Sequence, residues 1–224
     1  AIAIAVFFPV TVAAQITVDT TISADTTSQQ VLGANNVTIT NDANINFTGS
    51  GAINILTFTG VTITNNAGAS INALGSGNDQ AIDASNSAVN NLTINNSGTI
   101  SANDNQAIRV NNDSNFTLTN NVGGSITADR TAISISTGGG TITNSGTITT
   151  TGAGNAIRPA TSIGLTITNN AGGVFSSTGT SGVIRLDSNH TLINSGSIIN
   201  FTSVNNNAIR LDGDNNTITF KEGG

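Results

Sequence analysis

The chain has 224 residues, of which 25 are Gly and eight are Phe, with no Cys, Met, Trp or Tyr and only 8% charged side chains. The missing cysteines exclude disulfides, zinc–thiolate sites and thiol chemistry, and the net charge of −6 disfavours nucleic-acid phosphates and anionic membrane surfaces as partners. A disordered chain is excluded as well, because Ile, Val and Leu recur in register with β-branched Thr along the length.

Residues 1–14, AIAIAVFFPVTVAA, form an apolar run too short to span a bilayer. Val12 and Ala14 suit the small-residue positions before a cleavage site, so this segment reads as a signal-peptide remnant; a buried first strand is the competing reading. The repeat domain is then expected over 15–224, with 15–36 as its first coil and with further sequence on both sides.

From Val37 onward a phrase of apolar, Thr, apolar, Thr, Asn returns at Val61, Leu92, Phe116, Gly140, Leu165, His190 and Asn216, at intervals of 24, 31, 24, 24, 25, 25 and 26 residues. Such a period marks a solenoid. A Gly-x-apolar step follows at Gly98, Gly124, Gly146, Gly173 and Gly196, and an Ala-Ile step at Ala52, Ala81, Ala107, Ala132, Ala156 and Ala208. Each period therefore predicts three short strands. Alternation points Val37 and Ile39 inward and Thr38 and Thr40 outward. One coil cannot bury its own apolar face, but stacked coils bury a continuous column. The expected fold is all-β: a right-handed, single-stranded parallel β-helix of about eight coils and about 38 Å. Asn41, Asn65, Asn96, Asn120, Asn144, Asn169 and Asn194 hold one place in the period. They are expected to stack as a ladder at a turn, where Asn tolerates left-handed backbone.

The phrases NNSGTIS at Asn95 to Ser101 and NSGTIT at Asn144 to Thr149 resemble the passenger regions of bacterial autotransporters, and the likeness runs over 37–220. That resemblance implies export from a Gram-negative bacterium, display or release at the outer surface, and a C-terminal membrane barrel. It also implies an adhesin or scaffold role, with host glycans or matrix proteins as partners.

Catalysis has little to work with. His190 is the one histidine, it has no acidic orienter nearby in sequence, and it is expected to be a turn residue. His and Cys spacings for a metal are missing, so neither a metal nor a cofactor is expected. Pectin-cleaving enzymes share the architecture and make a lyase or hydrolase the enzymatic rival. Asp83, Arg109, Arg158, Arg185 and Arg210 share a column two residues after the Ala of the Ala-Ile step, with Asp187 and Asp212 two residues further on. This stripe is the candidate for an anionic-glycan site, against the plainer reading that each Arg is balanced by a neighbouring Asp. Asp212 and Asp214 fall in LDGDNN, an expected turn composition.

A third class comes from Thr38, Thr62, Thr93, Thr117, Thr141, Thr166, Thr191 and Thr217, an unbroken row beside a second row interrupted at Asn95 and Ile193. A flat Thr-x-Thr array resembles the ice-binding face of some β-solenoid antifreeze proteins. The long interval between Gly75 and Asn90 is expected to project outward as a loop, and open strand edges predict end-to-end self-association.

Overall fold

The structure, a computed structural model, describes residues 15–86, 89–111, 113–136, 138–159, 164–202 and 207–222. The segment read as a signal-peptide remnant lies outside the described residues. Among the described residues every paired strand is parallel to its neighbours, and every regular element is a strand.

Three sheets run along the molecule. Sheet I carries the Ala-Ile steps, from Gln15–Ile16 to Ile209–Leu211; sheet II carries the Thr phrases, from Thr20–Ile22 to Thr217–Phe220. Sheet III carries the Gly-x-apolar steps, from Asn44–Phe47 to Ser197–Asn200. The chain visits them in the order I, II, III and then repeats. Nine strands in each of the first two sheets and seven in the third make a parallel β-solenoid of seven complete coils, flanked by partial coils. Before the first complete coil, Thr26 bridges to Ile45 in place of a third-sheet strand.

The alternation read from sequence is the one that packs the core. In sheet II, Ile39, Ile63, Ile94, Leu118, Ile142, Ile167 and Leu192 pair in register and are fully buried. Ile45, Ile71, Ile100, Ile126, Ile148 and Phe175 do the same in sheet III, as do Ile53, Ile82, Ile108, Ile133, Ile157 and Ile184 in sheet I. Each such side chain contributes about 1.5–3 kcal/mol relative to an exposed one, and no coil buries its column without a neighbour.

The asparagine ladder forms, but inside the molecule. Nδ2 of Asn41 donates to Oδ1 of Asn65 at 2.8 Å, and the same contact passes along Asn96, Asn120, Asn144, Asn169 and Asn194 at 2.8–2.9 Å. The amides also donate to backbone carbonyls, as Asn120 does to Gly124 and Thr147. Buried carbonyls at the corner are thereby satisfied without water.

The left-handed conformation expected of these asparagines belongs to another set. Asn36, Asn91, Asn189 and Asn215 have φ between 55° and 66°, and Gly60 and Gly164 have φ of 70° and 63°. All six stand immediately before a Thr phrase, where the chain swings from sheet I to sheet II.

Candidate functional site

Sheet I presents its outward side chains in one file because parallel pairing without slippage keeps equivalent residues adjacent. Asp83 pairs with Arg109, Arg109 with Ser134, Ser134 with Arg158, and Arg185 with Arg210. The pairing of Ile157 with Ile184 sets Arg158 beside Arg185. Consecutive members are about 4.8 Å apart, close enough for like charges to repel.

Asp212 relieves that repulsion at one end. Its two carboxylate oxygens meet Nε of Arg185 and Nε of Arg210, each at 2.5 Å. Burial opposes ionisation of this carboxyl, but the hydrogen bonds from Arg210 and Arg185, together with their charges, outweigh it and hold Asp212 below the usual carboxylate value. The Asp-for-Arg balance expected from sequence is thus carried by one carboxylate shared between two guanidiniums. Among the described residues, Arg130 and Arg158 have no carboxylate within ion-pair distance, and both are exposed.

Beside this file, at the corner where sheet III passes to sheet I, lie two shallow depressions. One, of about 280 Å³, is lined by Asn155, Thr180, Ser181, Gly182, Arg185, Asn207 and Arg210. The other, of about 190 Å³, is lined by Gln106, Arg130, Thr131, Ala153, Gly154, Asn155, Arg158, Ser181 and Arg185. They share Asn155, Ser181 and Arg185, so they adjoin along the axis. Of the residues singled out in sequence, Arg158, Arg185 and Arg210 line them, whereas Arg109, Asp187 and Asp212 do not.

Arg130, Gln106, Asn155 and Ser181 were not singled out. Gln106, Thr131, Asn155 and Asn207 each stand immediately before an Ala-Ile step, a polar column that the repeat displays. Arg130 precedes Ala132 by two residues, whereas the file arginines follow their Ala by two, so chain distance hides their proximity. Asn155 is held in place: its Nδ2 donates to the Gly182 carbonyl at 2.6 Å, and the residue is 6% exposed.

Sheet II carries the threonine array. Thr38, Thr62, Thr93, Thr117, Thr141, Thr166, Thr191 and Thr217 pair without a break. Thr40, Thr64, Thr119, Thr143, Thr168 and Thr219 form the parallel row, broken by Asn95 and Ile193 and extended by Thr21. The rows are about 6.6 Å apart along the strands.

Two other expectations are corrected. His190 is not a turn residue: it is fully buried in the place that Leu165 fills one coil earlier, and its Nδ1 accepts the backbone N–H of Leu165 at 3.3 Å. An imidazole can replace an apolar group there because it supplies an acceptor to a buried donor. The long interval does not form one projecting loop either. Its extra residues are divided between the corners on either side of Ile82–Ala84, where Asp79, Gln80 and Val89 are buried. The I–II corner of this coil is braced by Asp113, a buried carboxylate that accepts the N–H groups of Asn91 at 2.8 Å, Leu92 at 2.8 Å and Asn115 at 2.9 Å.

No group of three or more His, Cys, Asp or Glu side chains is arranged to hold a metal among the described residues, and no helix there is long and apolar enough to cross a membrane. Comparison of the chain with protein-family models, curated proteins and solved structures returned no match.

Proposed function

We propose that this chain is a non-catalytic, extracellular β-solenoid scaffold with an adhesin role, part of an autotransporter-like protein at the surface of a Gram-negative bacterium. The observation that carries the reading is the unbroken stack of seven complete coils. A stack of this kind is a stiff rod whose outward positions repeat from coil to coil, suited to holding contacts away from a cell and repeating them along its length. The phrases shared with autotransporter passengers support the setting. Host glycans or matrix proteins are the proposed partners, and a membrane barrel is the proposed means of reaching the surface.

The test is adhesion of beads coated with the chain from Gln15 onward to epithelial cells and matrix films, with the same protein incubated with pectins and other polysaccharides. Adhesion above that of uncoated beads, with no new reducing ends or unsaturated products, is expected. Turnover of any polysaccharide overturns the non-catalytic reading in favour of a lyase or hydrolase. End-to-end association of the chain from Gln15 onward is proposed as well, and a monomer at every concentration in sedimentation contradicts it.

A second reading is favoured by one observation, the eight threonines in unbroken register on sheet II. A regular hydroxyl and methyl array suits ice. Thermal hysteresis that is abolished by Thr117→Lys and Thr141→Lys establishes that reading, and its absence in the wild type removes it.

A further inference from the structure

We infer that the two adjoining depressions beside the arginine file form one groove for a linear polyanionic glycan, with a carboxylate or sulfate on successive sugars, laid along the solenoid axis. The inference names a ligand class for the scaffold proposed above and rests on that reading for its setting.

The cations are arranged for such a ligand. Arg158, Arg185 and Arg210 belong to successive coils and rise in steps of about 4.8 Å, and Arg130 adds a fourth guanidinium from the corner. From Gln106 to Arg210 the groove crosses five coils, a length of about 19 Å. This length suits an extended oligomer better than a single sugar. A guanidinium binds a planar carboxylate or a sulfate through two parallel N–H bonds, which orders the ligand as well as attracting it. Arg130 and Arg158 have no carboxylate in reach among the described residues, so they can take a ligand anion without breaking an existing pair.

The other lining groups suit sugar hydroxyls. Gln106, Asn155, Thr180 and Ser181 offer neutral donors and acceptors along the groove, and Asn155 is already ordered by its bond to Gly182. Among the described lining residues none is aromatic, so they offer nucleic-acid bases no ring to stack on. The net charge of −6 repels polyanions in general. Attraction must therefore come from the local stripe, and it must weaken with salt.

Asp212 gives the groove an internal competitor. It pairs with both Arg185 and Arg210, and removing its charge releases both guanidiniums.

The test measures binding of the chain to heparin and polygalacturonate, with neutral dextran and single-stranded DNA as comparison ligands. The acidic glycans are expected to bind with an affinity that falls as salt rises, and dextran is expected not to bind. Arg158→Ala with Arg185→Ala should weaken binding at least about tenfold, and Asp212→Asn should tighten it several-fold. Arg109→Ala, outside the groove, should leave it unchanged. Thermal melts confirm that each variant is folded. No binding by the wild type, equal binding by the folded double variant, or equal binding of DNA each overturns the inference. If coated beads adhere to cells while the acidic glycans fail to bind, the groove falls and the adhesin reading stands; polysaccharide turnover does the reverse.

Discussion

The corner from sheet II to sheet III and the corner from sheet III to sheet I turn the same chain around the same core, by opposite means. The first is built for repetition. Each turn starts at a ladder asparagine, and the third-sheet strand follows after three positions at Asn44, Thr99, Thr147 and Ser197 or after five at Ser70, Ser125 and Val174, in strict alternation. The second is built for variety: four to eight residues separate its strands, and no ladder crosses it. A corner whose buried amides must meet along the axis keeps to two alternating lengths. One without such a ladder takes many, and the groove lies there.

The largest effect that could break this contrast is expected in the ladder. Asn120 accepts from Asn96 and donates to Asn144, Gly124 and Thr147. Asn120→Ala strands several buried polar groups and should cost about 3 kcal/mol in urea unfolding. Ser181→Ala, at the groove corner, should stay within about 0.5 kcal/mol. Similar shifts in the two urea midpoints would show that the corners do not differ.

A smaller pair separates contact from conformation within the first corner. A Cβ at Gly146 would lie 2.2 Å from the Gly124 carbonyl oxygen and 2.5 Å from that of Asn121. Gly146→Ala must push backbone apart, at about 1–3 kcal/mol. At Gly68, φ is +84° and nothing lies near an added Cβ. Gly68→Ala should therefore cost only the strain of the left-handed region, about 1 kcal/mol. A larger loss for Gly68→Ala than for Gly146→Ala would mean that turn conformation, not coil-to-coil approach, sets this corner.

The same contrast explains what could be read from sequence. Sheets and ladder were legible because stacking places each residue against its equivalent one coil away, so a structural column is also a column of the aligned repeat. The threonine rows and the file of Arg109, Arg158, Arg185 and Arg210 followed directly. Arg130 did not, because the equivalent places two before the Ala-Ile step hold Ser50, Asp79, Asn105 and Gly154, so no column of arginines marks it. His190 misled by residue type: its position in the phrase pointed inward, like Leu165, while its polarity suggested a turn. The ladder asparagines misled in the opposite sense, since left-handed backbone was assigned to a column of Asn when the Asn or Gly one position before six of the Thr phrases carried it.

The smallest expected effect lies at the end of the groove, and pH reveals it. Asp212 ionises below the usual carboxylate value in the folded chain because Arg210 and Arg185 bond its charged form more strongly than burial disfavours it. A carboxyl lowered on folding stabilises above its unfolded value, and that contribution is lost as pH falls through the folded one. The pair is partly solvated, with Arg210 59% exposed, so screening limits its worth to about 0.5 kcal/mol or less. Asp212→Asn should accordingly melt slightly below wild type near neutral pH, and the gap should close as pH falls below the usual carboxylate range and the wild-type carboxylate protonates. A gap that stays constant through the acid range would locate the stabilisation in the shape of the LDGDNN turn rather than in the charge. The groove arginines would then already be free of their internal competitor, and the tightening expected for Asp212→Asn would not occur.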